Sequence, residues 1–574
     1  MNSSQQRRLW MVIVGIGFAT VIIVGRLVAF QIVQGEHWKQ VGEEVRRVTV
    51  VAQPNRGIIY DANGAILAGN SADYQIGASP RLISSAKAEE MATALAPILQ
   101  ESRMELLAQL DSDQTYVLLA SRVAPAVADA IRSLPFEDNV QIDPLPRRIY
   151  PQEQLMCHIL GYVDFDGNGG AGVEGYYQSE LAGEAATDVR SISPLTPQRS
   201  VIAREGADLV LTIDRTVQYA VEQHLERAVR EHGARSGTII VMDPRTGAIL
   251  ALANTPCYAP YKFYETERSL LVNPAISRQY EPGSVMKLVT MAAALDSGAV
   301  TPASTYFDSG VLELGGHRTY NWDRSGPGTV DMTTLLARSL NVGAATIATW
   351  VGPEQFYTYL ERFNFGRPTG IDLMSEAGGT MHLPGSAYWT ESFIATNAYG
   401  QGIAVTPLQM IASVAALANG GRLMQPHVVQ EIRANDQVYE YQPNIIAQPV
   451  AEETARQLSA MAVSAVQREV NSAQVEGYTI AGKTGTAEIP ENGVYLSDAT
   501  IGSFIGWLPA DDPQMVILVK LDRTTSSPWG SVTAAPTFAS LVEELVVMLN
   551  IAPDAVRLQA AQPAAEGVLQ PQGN

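Results

Sequence analysis

An apolar run that admits almost no charge limits the fold of this chain more than any other stretch. Residues 9–25 include no ionisable side chain, and after Arg26 the pattern resumes through Leu27, Val28, Phe30 and Ile32. That is about the length at which a helix spans a bilayer, where every backbone polar group must find its partner inside the segment. Residues 9–32 are therefore predicted to be a single transmembrane anchor. Arg7 and Arg8 stand before it and acidic, mixed sequence follows, which places residues 1–8 in the cytoplasm and the bulk of the chain outside the cytoplasmic (inner) membrane. No small-x-small cleavage pattern follows the apolar core, which favours an uncleaved anchor over a signal peptide. Arg26 either snorkels to the outer interface or marks a partner helix.

At 574 residues the chain is too long for one ordinary domain, and two or three with their own cores are expected. A formal net charge of −20 argues against nucleic acid as a partner, because phosphate binding wants a basic face. Cys157 and Cys257 cannot make a disulfide framework and fall on either side of an expected domain boundary; both are predicted to be buried small apolar residues. Residues 33–205 read as mixed α and β with no ordered set of reactive side chains. Within them, residues 55–64 form a strand that ends in an Asn63-Gly64 turn, and helical patterns cover 86–110 and 124–134. Gly169, Gly170, Gly172 and Gly175 invite comparison with a phosphate loop, but the lysine and helix start such a loop requires are missing. Buried pairing of Glu174 with Arg56 or Arg148 is expected there as a structural feature. The polar stretch 185–204, with two prolines, reads as a linker or long loop.

From residue 206 the pattern changes. An alternating strand over 206–214 stops at Asp214, a good N-cap, and Val217, Ala220, Val221, Leu225, Ala228 and Val229 form the apolar stripe of a helix ending at Gly233. A hairpin follows at 237–242 and 248–253, then strands at 501–507 and 515–521 and a closing helix at 538–549. The expected fold is multidomain α+β: a transmembrane helix, a mixed α/β pedestal over 33–205, and an antiparallel sheet covered by helices over 206–551. Residues 552–574, rich in Ala, Gln and Pro, are expected to be disordered.

The chemistry is expected at Glu281-Pro282-Gly283-Ser284-Val285-Met286-Lys287. Pro and Gly break what precedes, and Leu288, Met291, Ala292 and Leu295 carry a helical stripe to Gly298, so Ser284 sits at the mouth of a helix. Lys287 lies one turn on, on the same face. A serine attacks only when something takes its proton, and a lysine can do so only as the neutral amine. Bringing its pKa from roughly 10.4 to near 7 costs about 4 kcal/mol, which burial and a second positive charge supply. Ser84 and Lys87 share the same spacing in a polar stretch with no Pro-Gly entry, so the spacing alone is weak. Its company is stronger: Ser339-Leu340-Asn341 follows a helical run at 334–338, and Lys483-Thr484-Gly485-Thr486 closes a strand-like run from Tyr478. The chain has only six lysines, and two fall in this ordered pattern.

The ordered triple Ser-x-x-Lys, Ser-x-Asn, Lys-Thr-Gly resembles the penicillin-binding protein and serine β-lactamase superfamily. The flanking words at 55–64, 148–151, 169–175, 399–403 and 406–409 are similar to class B penicillin-binding proteins, monofunctional peptidoglycan transpeptidases, of the cell-division type. What the resemblance implies is a membrane-anchored, serine-type D-Ala-D-Ala transpeptidase that cross-links stem peptides, is acylated by β-lactams and needs no cofactor or metal. It also implies Ser284 as nucleophile, Lys287 as its base, Ser339 as a proton relay and Asn341 as a holder of Lys287 or substrate. Lys483 supplies positive potential, Thr484, Gly485 and Thr486 bind the substrate carboxylate, and the backbone N–H groups of Ser284 and Thr486 form the oxyanion hole. Partners implied are a membrane glycan polymerase of the SEDS type and division proteins. An elongation-type transpeptidase, a D,D-carboxypeptidase, and a β-lactam sensor or division scaffold are the alternatives. Rapid hydrolysis of an acyl-enzyme calls for a carboxylate to activate water; Glu376 lies at a plausible distance after Ser-x-Asn, but reads as an exposed loop residue.

Overall fold

The computed structural model describes residues 3–191, 202–491 and 494–561, and the chain divides into two compact units. The first unit is Met1–Arg56 with Ala182–Gly206. Helix α1, Ser3–Val28, runs into a π-helical turn at Ala29–Val33, and Gln6–Val33 is long and apolar enough to cross a membrane, with its apolar window unburied. Arg26 lies 5.9 Å from the ring centroid of Phe30. After a helix at Gly35–Arg46, the strand Arg47–Ala52 pairs antiparallel with Ala186–Ser191. This corrects the expected linker, whose first residues are a strand: ladder pairing uses backbone groups, so a polar sequence does not prevent it. Residues 192–201 of that linker lie outside the described residues.

The second unit is Gly57–Leu181 with Ala207–Asn574, and strands from both segments share a sheet. Ile59–Tyr60 lies parallel to Asp208–Leu211, and Ile66–Ala78 returns antiparallel across the predicted turn. Asp61 makes that turn, accepting from the backbone N–H of Asn63 and Ala65, while Gly64 adopts φ +83. Val117–Val123 and Val140–Ile149 extend the sheet on one side and Val429–Ala434 and Gln437–Glu440 on the other. Met91, Leu95, Leu106 and Ile131, from the helical stretches expected between 86 and 134, fill the core over its far end. Arg148 Nε donates to Glu174 at 2.6 Å with side chains 4% and 0% exposed, so the expected pairing forms, through Arg148.

The catalytic sheet is built by five strands. Helix α2, Arg215–His232, is capped by Asp214, whose carboxylate accepts from Thr216 N–H, and leads into β1, Ser236–Met242, and β2, Ile249–Thr255. Helices α3, Lys287–Asp296, α4, Met332–Ala337, and α5, Asn341–Val351, come next, followed by β3, Ala481–Glu491, β4, Val494–Leu508, and β5, Met515–Asp522. The order β3-β4-β5-β1-β2 is antiparallel throughout and leaves β3 on an edge. Ile239, Val241, Ile517 and Val519 face α2 and the closing helix Ala534–Met548. Ile240, Met242, Leu252 and Leu518 face a second core with Leu288 and Met291 of α3. Both faces are buried, which is why these strands read as continuous apolar runs.

Two expectations are overturned here. Cys157 and Cys257 are joined by a disulfide, and Cys257 is only half-buried. No boundary separates them: the short helix Cys157–Leu160 packs beside the segment that follows β2, where His158 Nε2 meets the carbonyl of Leu270 at 2.9 Å. The tail is ordered further than its composition suggests. Asp554–Ala561 is a helix, because Asp554 accepts from Thr479 N–H and Arg557 binds both Asp554 and Asp511. Residues 562–574 lie outside the described residues.

A disulfide across a sequence separation of 100 restricts the unfolded chain strongly. The Cys157→Ser/Cys257→Ser protein is expected to lose about 2–4 kcal/mol of stability, read as a lower denaturant midpoint than wild type under non-reducing conditions. Equal midpoints would mean that the loop is already restrained in the unfolded state.

Candidate active site

Ser284 lies in a 3₁₀ turn, Gly283–Met286, that leads directly into α3. The turn is pressed between two pieces of backbone. Gly283 N–H donates to the carbonyl of Gly400 at 3.0 Å, and a Cβ on Gly400, which has φ +82, would lie 2.2 Å from the Gly283 oxygen. On the other side a Cβ on Gly485 would lie 2.9 Å from Val285 Cγ2, so β3 meets the turn without a side chain between them. Glycine at these places lets the edge strand and the turn that carries Ser284 touch.

Lys287 is the hub. Its Nζ lies 3.0 Å from Ser284 Oγ, 2.6 Å from the Ser339 carbonyl oxygen, 3.2 Å from Ser339 Oγ and 2.6 Å from Asn341 Oδ1. Ser339 supplies two of these atoms because it links α4 to α5 with φ +57, in the left-handed region, turning its carbonyl and hydroxyl toward the same amine. Asn341 opens α5, and its Nδ2 donates to the Tyr320 carbonyl, which aims the amide oxygen at Lys287. The Lys287 side chain is 1% exposed. Burial, and then the positive charge of Lys483, hold its ammonium well below the ordinary lysine range.

Lys483 is buried in β3, and burial pulls its pKa down to about 8 against the opposing pull of Glu469. Its Nζ lies 3.4 Å from the Thr484 carbonyl oxygen and 3.3 Å from Thr484 Oγ1. Gly485 pairs with Ser503 and Thr486 with Gly502 across β4, and Thr486 Oγ1 accepts from Gly530 N–H at 3.3 Å. The structure thus gathers Ser284, Lys287, Ser339 and Asn341 around one nitrogen and lays the Lys483–Thr486 strand edge beside the turn that carries Ser284.

Glu281 stands in the sequence motif, but its role appears only in the fold. Its carboxylate accepts from Gly402 N–H at 2.9 Å and from the hydroxyl of Tyr495, tying together the approach to Ser284, the glycine-rich loop and β4. Burial raises its pKa, while those two hydrogen bonds pull the other way. A carboxylate just before Pro-Gly-Ser is the signal that could have found it. Trp322 and Trp529 carry no such signal: they meet edge to face at 5.7 Å, Trp322 Nε1 donates to the carbonyl of Arg338, next to Ser339, and Trp529 precedes Gly530. Glu376 is partly buried and committed to its own loop, accepting from Thr369 N–H, Thr369 Oγ1 and Gly370 N–H. Among the described residues, the His, Cys and carboxylate groups close enough to share a metal are Cys157, His158 and Cys257, and the disulfide consumes both sulfurs.

A hydroxyl hydrogen-bonded to a desolvated amine, beside the bare edge of an antiparallel sheet, defines a serine acyltransferase. Residues 237–543 match the penicillin binding protein transpeptidase domain, and residues 51–194 match the penicillin-binding protein dimerisation domain. The chain is 30% identical to stage V sporulation protein D of Bacillus subtilis over 96% of its own length and 87% of that protein. It is 30% identical to a probable peptidoglycan D,D-transpeptidase, PbpC, of Pseudomonas aeruginosa, over 96% and 97% of the two chains. Its fold superposes on the crystal structure of penicillin-binding protein 3 from Mycobacterium tuberculosis complexed with ampicillin, with a TM-score of 0.69 at 26% identity, covering 88% and 97% of the chains. The chain belongs to the class B penicillin-binding proteins and is a serine-type peptidoglycan D,D-transpeptidase.

With six lysines in the chain, selective ¹⁵N labelling resolves Lys287 and Lys483. Lys287 is expected to titrate well below an ordinary lysine and Lys483 near pH 8. Both folded values lie below the unfolded one, so the folded chain binds fewer protons between them and the pair's contribution to stability rises with pH across that window. Titration of Lys287 in the ordinary lysine range would contradict this.

Proposed function

We propose that Ser284 attacks the carbonyl of the penultimate D-alanine of a stem peptide, expels the terminal D-alanine as leaving amine and carries the acyl group to the amine of a neighbouring stem peptide. The observation that carries this reading is the set of partners around Lys287 Nζ. A neutral amine has two N–H donors and one lone pair. Its two shortest contacts are to acceptors that cannot donate, the Ser339 carbonyl oxygen and Asn341 Oδ1, each at 2.6 Å. Those take both donors, and the lone pair is left to accept the Ser284 hydroxyl proton at 3.0 Å. Lys287 is thereby the base of acylation, and Asn341 its positioning residue. Ser339 Oγ, 3.2 Å from the same nitrogen, returns the proton to the departing amine.

Lys483, charged below pH 8, attracts the terminal carboxylate of the substrate, and the hydroxyls of Thr484 and Thr486 with the backbone at Gly485 bind it. The N–H groups of Ser284 and Thr486 stabilise the oxyanion, each donor contributing about 3 kcal/mol in the transition state. With Glu376 bound into its own loop, no carboxylate is assigned to activate water, which favours an amine acceptor and a long-lived penicilloyl adduct. The same chemistry makes Ser284 the β-lactam target, a reading supported by the ampicillin complex of the mycobacterial relative.

Arg7 and Arg8, in the first turns of α1 just before its apolar run, support a cytoplasmic N-terminus and a catalytic domain outside the cytoplasmic membrane. The assigned role is septal wall synthesis beside a SEDS-type glycan polymerase and division proteins, with Arg26 at the helix contact. The domain limits proposed are a tail over 1–8, anchor 9–32, pedestal with linker 33–205 and transpeptidase 206–551.

Radiolabelled or fluorescent penicillin is expected to label wild type with slow release and to leave Ser284→Ala unlabelled. Lys287→Gln should acylate about 10²–10⁴-fold more slowly. Equal labelling of Ser284→Ala would remove the assignment. Depletion should give filaments; round cells would point to elongation. Arg26→Leu should lower co-purification with the polymerase, and unchanged recovery would discard that contact.

A further inference from the structure

A cavity of about 290 Å³ lies in the second unit and is separate from the cluster around Lys287: Ser284, Lys287, Ser339, Asn341 and Lys483 do not line it. Its size is at the lower end of small-molecule sites, which run to roughly 300–1,000 Å³. Arg235, Arg278, Lys520 and Arg523 converge on it, with Asp522 as the one acidic side chain in its wall. In a chain with a net charge of −20, four cations around one small cavity are unusual. His158, also in the wall, adds no charge at neutral pH, because burial lowers its pKa to about 4.

The cations are not equally engaged. Lys520 is paired with Asp522, and Arg523 with Glu491 at 3.0 Å. Arg278 donates only to the carbonyl of Ser269, and the Arg235 guanidinium has no partner among the described residues. The cavity therefore keeps two guanidinium groups with unspent donors. A further polar group is unspent and buried: the Tyr280 hydroxyl, on a side chain 7% exposed, makes no hydrogen bond, while its ring lies beneath Lys520 Nζ at 4.9 Å. A buried donor without a partner destabilises the protein, and since this hydroxyl is sealed from solvent, a ligand acceptor reaches it through a small shift of the wall. Leu270, Ile489, Ile501 and Pro256 supply the apolar part of the wall.

We infer that this cavity binds a small organic anion, its carboxylate or phosphate held by Arg235 and Arg278 and by the Tyr280 hydroxyl, its apolar body against Leu270, Ile489 and Ile501. Planar guanidinium groups suit either head group, because both offer two oxygens to paired N–H donors. The site adjoins the catalytic machinery by chain continuity. Tyr280 is bridged on both sides to Val405 and leads through Glu281 into Ser284, while Ile489 lies on β3 beyond Thr486.

The test uses the full chain in detergent, pretreated with benzylpenicillin, and titrated with phenyl phosphate, benzoate and neutral benzamide by calorimetry. One saturable site is expected for at least one of the two anions, with benzamide at least about tenfold weaker. The better anion identifies the head group. Arg235→Gln/Arg278→Gln should weaken that anion by about tenfold or more, and Tyr280→Phe by a smaller factor. Benzamide binding as tightly as the anions, wild-type affinity in the double variant, or no saturation at millimolar concentration would each overturn the inference. The arginine substitutions, not the penicillin block, assign the signal to this cavity, so the result is readable whether or not Ser284 acylates.

Discussion

The whole active site depends on keeping one amine dry. Burial, and then the charge of Lys483, hold the Lys287 ammonium well below the ordinary lysine range, and the base role proposed for it rests on that. A buried ammonium without full compensation is costly, so the equilibrium moves to the neutral form instead of unfolding the site. The acceptors on Lys287 are then neutral groups, a carbonyl and an amide. A carboxylate in either place would favour the charged form of the amine.

That requirement explains the packing around it. The turn with Ser284 must approach an edge strand closely enough to exclude water, and the glycines at 400 and 485 permit contact that any side chain would block. Ser339 adopts a backbone conformation that non-glycine residues rarely occupy, and in exchange presents two oxygen atoms to one nitrogen. Glu281 and Tyr495 hold the approach to Ser284 against β4 through contacts separate from those of Lys287. Lys483 contributes charge without touching Lys287 in a hydrogen bond, and both lysines lie on elements fixed by a sheet and a helix with buried faces on either side.

What could be read from the chain followed local periodicity. The apolar helix expected at 9–32, the capped helix after Asp214, the hairpin at 237–253 and the helix after Lys287 each rest on a pattern that only neighbouring residues set, and each is present as a helix or hairpin with ends shifted by a few residues. Ser284 and Lys287 were visible as a pair because one helical turn separates them. Other features had no local signature. Cys157 and Cys257 are distant in sequence, and a lone cysteine looks the same whether its partner is across the fold or absent. Glu281 found Tyr495, and Asp554 found Thr479, across comparable gaps. The strand at Ala186–Ser191 was hidden by its polar composition, since its order comes from a backbone partner far upstream.

By itself, then, the order of residues determined which segments would be helix or strand, which helix is apolar enough to cross a membrane, and which three motifs were candidates for the site, because hydrophobic periodicity and i, i+3 geometry are local properties. Only the tertiary structure decided that Ser339 and Asn341 reach the same nitrogen as Ser284, that this nitrogen is desolvated, and that Glu281 braces the turn. A pKa shift and a hydrogen bond both depend on distance and burial, and these come into being when segments separated by tens to hundreds of residues close on one another.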